Sequence, residues 1–201
     1  MQKLLIVCDV QPDVVQKLQP PSQQRRFVDM IHTAVAAARK QHVPILYTQL
    51  LLRTGYPDIP LSHPKLGILR KLVAKNSNIN WFTSSELTIL PRAGERVLPR
   101  ETYLPQTNDT VLLDTLREYG VGSDDNSTSL TLVGFLPTVN TFANHVLGDV
   151  LAVRNLHIVR DCVADDVSEE RCQAMLTNGL LLHNTADVLI SLVDFLSLIH
   201  I

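Results

Sequence analysis

The sequence predicts an α/β fold: a doubly wound, six-stranded parallel sheet with helices on both faces. Three observations lead to it. Short aliphatic runs recur along the chain, continuous rather than alternating, as in strands buried on both faces. Segments with apolar residues every three or four positions separate these runs. The alternation of the two patterns runs along the whole chain apart from one excursion, without internal repeat. One domain over residues 1–201 is therefore expected, with right-handed crossovers. A chain of this length buries about 70% of its unfolded surface, enough for one core.

The first strand runs from Leu4 to Asp9, and a helix from Ser22 to Gln41 follows, its stripe made of Phe27, Met30, Ile31, Ala34, Val35 and Ala38. Val43 to Gln49 is the second strand. Residues 50–90 break the rhythm with Pro57, Pro60, Pro64 and the polar stretch 76–80, so they read as a long excursion over the carboxyl ends of the strands. Glu95 to Leu98, followed by Pro99, reads as an edge strand because proline cannot donate to a ladder. A helix from Thr110 to Tyr119 stops at Gly120, and the Gly/Ser/Asp/Asn-rich segment from Gly122 to Ser129 reads as a surface loop. Leu130 to Gly134 and Leu156 to Asp161 are two further strands, and Val188 to Leu192 completes the six. Helices are expected over Thr138 to Val150 and Ser168 to Leu181, the latter opening behind Asp165 and Asp166 at its positive end.

Composition excludes several classes. With 45% hydrophobic and 19% charged residues the chain is neither disordered nor fibrous. Eighteen Lys and Arg against twenty Asp and Glu give a net charge of −2, which supplies no basic field for a nucleic-acid partner. The run from Leu4 to Cys8 is too short for a signal-peptide core, and no apolar stretch reaches the ~18 residues that cross a membrane, so a soluble, cytoplasmic protein is expected. Cys8, Cys162 and Cys172 form no CxxC or Cys/His cluster and read as reduced thiols. No metal and no cofactor are expected: the seven histidines show no paired ligand spacing, and His63, in Ser62-His63-Pro64, reads as a solvated loop residue.

Open α/β sheets bind ligands at the carboxyl ends of their strands. The residues terminating the runs are Asp9, Gln49, Arg100, those after Gly134, and Asp161. Asp9 is a carboxylate placed where a buried strand emerges, and is either a site residue or a cap.

At this point the motifs carry a resemblance. Leu5-Ile6-Val7-Cys8-Asp9-Val10-Gln11 is similar to the opening of the isochorismatase-like hydrolase superfamily. Its later landmarks follow in order: Leu90-Pro91-Arg92-Ala93-Gly94-Glu95-Arg96-Val97, then Arg100 with Tyr103, then Leu132-Val133-Gly134, then Val159-Arg160-Asp161-Cys162-Val163-Ala164. The resemblance spans nearly the whole chain and implies a Rossmann-like sheet with a site built from Asp, Lys and Cys. In the amidase branch it implies an Asp that deprotonates the Cys, a Lys that supports the charge, and attack on a carbonyl held in a backbone oxyanion hole. The positions that match are Asp9, Arg100 and Asn140, so only the first residue is the expected one. Around them Gln11, Gln49, Tyr103, Pro137 and Thr138 are the candidates to bind substrate.

These departures weigh on function. Asparagine has no thiol to ionise, so acyl-enzyme chemistry cannot run through position 140. Cys8 is expected to point away from Asp9 by strand alternation, which bars it as a substitute. Where the resemblance implies the Asp-x-His ligands of the nicotinamidases, this chain has Tyr47-Thr48-Gln49-Leu50-Leu51-Leu52, without those ligands. Pro137 falls where the family holds a cis peptide beneath its oxyanion hole, and proline removes one donor. Two readings stand. One is a member of the family without cysteine-hydrolase activity, acting as a binding or assembly protein with Asp9 and Arg100 as a static ion pair. The other is a hydrolase of a small metabolite that uses Asp9 as general acid without a covalent thiol intermediate. Beyond a small-molecule ligand, the expected partner is a second copy of the chain. The apolar tail 192–201 and the excursion, with Trp81 and Phe82, offer surfaces for a two-fold homo-oligomer, dimer or tetramer.

Overall fold

The computed structural model describes residues 3–18, 20–57, 59–62, 67–76, 81–102, 109–122, 128–143, 151, 153, 156–164 and 181–183. In chain order its elements are β1 (Lys3–Cys8), α1 (Pro12–Val15), α2 (Pro21–Lys40), β2 (Ile45–Leu50), α3 (Gly67–Val73), β3 (Arg96–Arg100), α4 (Thr110–Glu118), β4 (Ser129–Phe135), α5 (Leu136–Thr141), β5 (Leu156–Ala164) and β6 (Leu181–His183). The six strands form one sheet in the order β3-β2-β1-β4-β5-β6, parallel throughout.

The period-two alternation of β1 divides the core. Leu4, Ile6 and Cys8 pack with Leu112 and Leu116 of α4 and Leu136 and Val139 of α5. Leu5 and Val7 face the other way, onto Phe27, Ile31, Ala34, Val35 and Ala38 of α2. Both faces are thus covered, which is why the strands read as unbroken aliphatic runs. The α2 stripe is the one its spacing predicts, with Met30 only partly buried beside it. The helix ends where His42 turns into the left-handed region (φ 53°) and the Val43 N–H reaches back to the Ala38 carbonyl. In α4, Asp109 caps the first turn by accepting from the Leu112 N–H at 3.0 Å, and Gly120 (φ 74°) ends the helix in the same manner as His42.

Pro99 is accommodated because β3 lies at the sheet edge. At its start, Arg39 from the end of α2 holds Glu95 through two bonds of 2.7 and 2.8 Å, and the Tyr47 hydroxyl of β2 donates to the same carboxylate at 3.1 Å. One acidic side chain so staples a helix to two strands. The Arg39 bond, assisted by the Arg92 N–H and Tyr47, outweighs partial burial and pulls the Glu95 carboxyl down to about 2. Burial first, then the neighbouring Glu95 charge, pushes the Tyr47 phenol up to about 12.

Several elements differ from expectation. Asp161 does not end its strand, since β5 continues to Ala164 past a register shift opposite residues 132–134. Leu181 begins β6 rather than closing a helix; a short apolar run reads equally as either by periodicity. Ser129 and Thr128 are buried, Ser129 as the first residue of β4, so the loop expected there is shorter. The excursion carries a helix, α3, that proline content obscured, and α5 begins two residues before Thr138. Candidate strand 188–192, tail 192–201, His63 and Tyr103 lie outside the described residues.

Candidate functional site

In a sheet of this order the chain leaves β1 toward β2 on one side and later returns to β4 on the other, so the carboxyl ends of β1 and β4 flank the switch point where such folds bind ligands. Asp9 follows β1, and Thr138 lies in α5, which begins directly after β4. Arg100 ends β3, two strands away, and its long side chain spans the distance.

Asp9 occupies the left-handed region, with φ 52°. Its N–H still donates to the Thr48 carbonyl at 3.2 Å, continuing the ladder, and its own carbonyl accepts from the Gln11 N–H at 2.9 Å. The turn brings its carboxylate into a ring of donors. The Thr48 hydroxyl donates to Oδ1 at 2.9 Å, the Thr138 hydroxyl to Oδ2 at 2.5 Å, and Arg100 donates from Nη2 to the same Oδ2. Nη2 of Arg100 also donates to Thr138 at 3.1 Å, and Nη1 to the Thr102 carbonyl. The side chains of Arg100 and Asp9 are only 5% and 2% exposed. Both carboxylate oxygens therefore act as acceptors in a buried, charge-assisted network.

The left-handed residue corrects one expectation. Cys8 does not point away from this cluster: it shares the face of Leu4 and Ile6, touches the Thr48 side chain, and feels the charges of both Asp9 and Arg100. Alternation breaks at Asp9, so consecutive residues converge. The thiol is fully buried, and burial foremost pushes it well above the ordinary cysteine range. That is the reverse of an activated nucleophile. Beneath it the sheet is tight. Gly134, opposite Cys8 in β4, has φ 120°, and a β-carbon there would lie 2.2 Å from the Cys8 carbonyl oxygen.

The remaining predicted residues separate into groups. Gln11 is buried and spends its amide on the backbone of Leu50, donating to its carbonyl and accepting from its N–H, both at 2.9 Å. It ties the turn after β1 to the end of β2. Gln49 sits on the sheet face of Ile45 and Tyr47, toward α2 and opposite Thr48; its Nε2 is buried without a hydrogen-bond partner among the described residues. Pro137 stands in the first turn of α5, which tolerates its missing N–H. Asn140 is half-buried on the same short helix, rotated by roughly 200° about its axis from Thr138. Sequence reasoning missed Thr48 and Cys8 as members of the cluster. The period of two along Ile45–Leu50 is the signal that finds Thr48.

The excursion covers this end of the sheet. Leu52, Tyr56, Ile59 and Phe82 pack with Leu50, Val14 of α1 and Phe135. Asp13 accepts from the Phe82 N–H at 2.7 Å, and the Phe82 carbonyl accepts from the Leu52 N–H at 2.6 Å. Phe82, expected on an apolar surface of the excursion, is therefore buried in the chain's own core, while Trp81 is 41% exposed beneath the Lys17 ammonium, 4.3 Å from its ring centroid.

A sequence model of the isochorismatase domain matches residues 3–188. No curated protein matches the chain. Solved structures do, at low identity. An isochorismatase family protein from Desulfovibrio vulgaris is 18% identical, with 98% of each chain covered and a TM-score of 0.64. N-carbamoylsarcosine amidase from Thermoplasma acidophilum is 15% identical over 92% of this chain and 97% of its own, with a TM-score of 0.59. The pyrazinamidase of Pyrococcus horikoshii, solved in complex with zinc, is 16% identical over 92% of this chain and 99% of its own, with a TM-score of 0.60. At these identities the structures establish a shared fold.

Proposed function

The chain belongs to the isochorismatase family, and from that premise we propose that it is a member without cysteine-hydrolase activity, serving as a binding or assembly protein. The amide at position 140, beside a carboxylate already engaged by three donors, carries this reading. Asp9 is enclosed by Arg100, Thr48 and Thr138, and every one of these contacts uses its oxygens as acceptors. A base that must take a proton from a nucleophile needs a free lone pair aimed at it, and position 140 offers no nucleophile, only an amide. Nor does the general-acid alternative gain support, because Oδ2 is engaged by Arg100 and the Thr138 hydroxyl rather than presented to a ligand. The nearest thiol, Cys8, is buried and held protonated.

The test is direct. Purified protein should hydrolyse neither nicotinamide nor N-carbamoyl compounds, and iodoacetamide should change nothing measurable. Turnover abolished by iodoacetamide would overturn the reading, and turnover insensitive to it but lost in Asp9→Asn would establish the general-acid alternative. The double variant Asn140→Cys with Arg100→Lys restores the residue types of the amidase branch and is the gain-of-function comparison.

A further inference from the structure

We propose that Arg100, Thr48 and Thr138 form a binding site for a small carboxylate, and that the chain's own Asp9 is the ligand it holds. The inference rests on the reading that Asp9 is not a catalyst, and adds the chemical class the site takes. Its basis is the origin of the groups. All three donors come from outside β1: Thr48 from β2, Arg100 from β3 and Thr138 from α5. Only the acceptor comes from the turn after β1, on a residue held in a left-handed conformation that side chains rarely adopt. The donors are buried and include one charge, and two of them are tied together independently of Asp9: Nη2 of Arg100 donates to Thr138 and Nη1 to the Thr102 carbonyl, while Thr48 is set by its place in β2. What these donors surround is a –CH2–COO− group, the shape of acetate. A tethered carboxylate competes at high effective concentration, so it acts as a built-in inhibitor of binding by free carboxylates.

Asp9→Gly empties the site and suits the backbone, because glycine takes φ 52° without strain. The probe is sodium acetate, compared with sodium chloride at equal ionic strength. Acetate should raise the thermal midpoint of Asp9→Gly by about 2–4 °C at several times its Kd, the shift such occupancy gives a chain of this size. Wild type should show no difference between the salts, since Asp9 already fills the site, and Asp9→Gly with Arg100→Gln should lose the effect. Equal midpoints in the two salts for Asp9→Gly, or an equal acetate shift in wild type or in the double variant, would overturn the proposal. Should Asp9→Gly not fold unaided, refolding from urea decides: recovery in acetate but not chloride supports the site, and recovery in neither rejects it. Catalysis by wild type would undo the silent reading without altering the acetate result, so the two failures are distinguishable.

Discussion

Thr138 shows how much depends on single hydroxyls in the cluster. Its Oγ1 accepts from Arg100 and donates to Asp9, and the residue is fully buried. Thr138→Val keeps the shape and removes both bonds, leaving a charged pair with one fewer partner. The expected loss is about 1.5–3 kcal/mol, typical of a hydrogen bond to a charged group, measured by urea unfolding at neutral pH. Asp9→Asn goes further, because it removes the buried carboxylate charge bonded to the Arg100 guanidinium, and should cost about 3–5 kcal/mol by the same measurement. Asp9 and Arg100 were legible in the sequence as strand-end residues. Their partner Thr48 was readable only from the period of two within its apolar run, and the closeness of Cys8 was not, because it depends on a left-handed φ at Asp9 that turns the carboxylate back toward the Cys8 face.

The α2 staple makes a second kind of claim, about pH. Glu95 has its carboxyl depressed from 4.5 to about 2 in the folded chain, so the folded state favours the ionised form. That contribution is fully present above about pH 4.5 and is lost as the pH falls toward 2; the sign follows because the unfolded chain binds the proton first. Wild type should lose on the order of 3 kcal/mol across this window that Glu95→Gln does not lose, visible as converging urea midpoints on acidification. Gly134 makes the complementary point for the sheet. Gly134→Ala would drive a β-carbon against the Cys8 carbonyl and strain a φ of 120°, so β1 and β4 must separate; the variant should unfold at markedly lower urea, by several kcal/mol. The central strands and two long helices were readable because their periods are unambiguous over many residues. The Leu181–His183 strand and α3 were not, since short apolar or proline-flanked segments carry too few residues to fix a period.

For the molecule as a whole, the sheet order matters more than any one contact. The doubly wound parallel class was legible from unbroken aliphatic runs alternating with amphipathic helices, whereas the strand order was not, because pairing partners leave no mark on apolar sequence. With both faces covered, the thiols of Cys8 and Cys162 are sealed in the interior. Neither should react with iodoacetamide in the native protein, and both should do so in urea, as read by peptide mass after digestion. The same sheet order has a consequence for how the chain is made. Residues 3–8 of β1 are bounded on one side by β2 but on the other by residues 129–134 of β4. A ribosome exposes the first partner early and the second only after most of the chain has been synthesised, at roughly 5–20 residues per second. For seconds the most apolar strand of the protein waits with one open edge, and Arg100 emerges before the α5 hydroxyl that completes its surroundings. A nascent chain arrested before Ser129 should therefore remain protease-sensitive throughout, and protection should arrive in one step once β4 has cleared the exit tunnel.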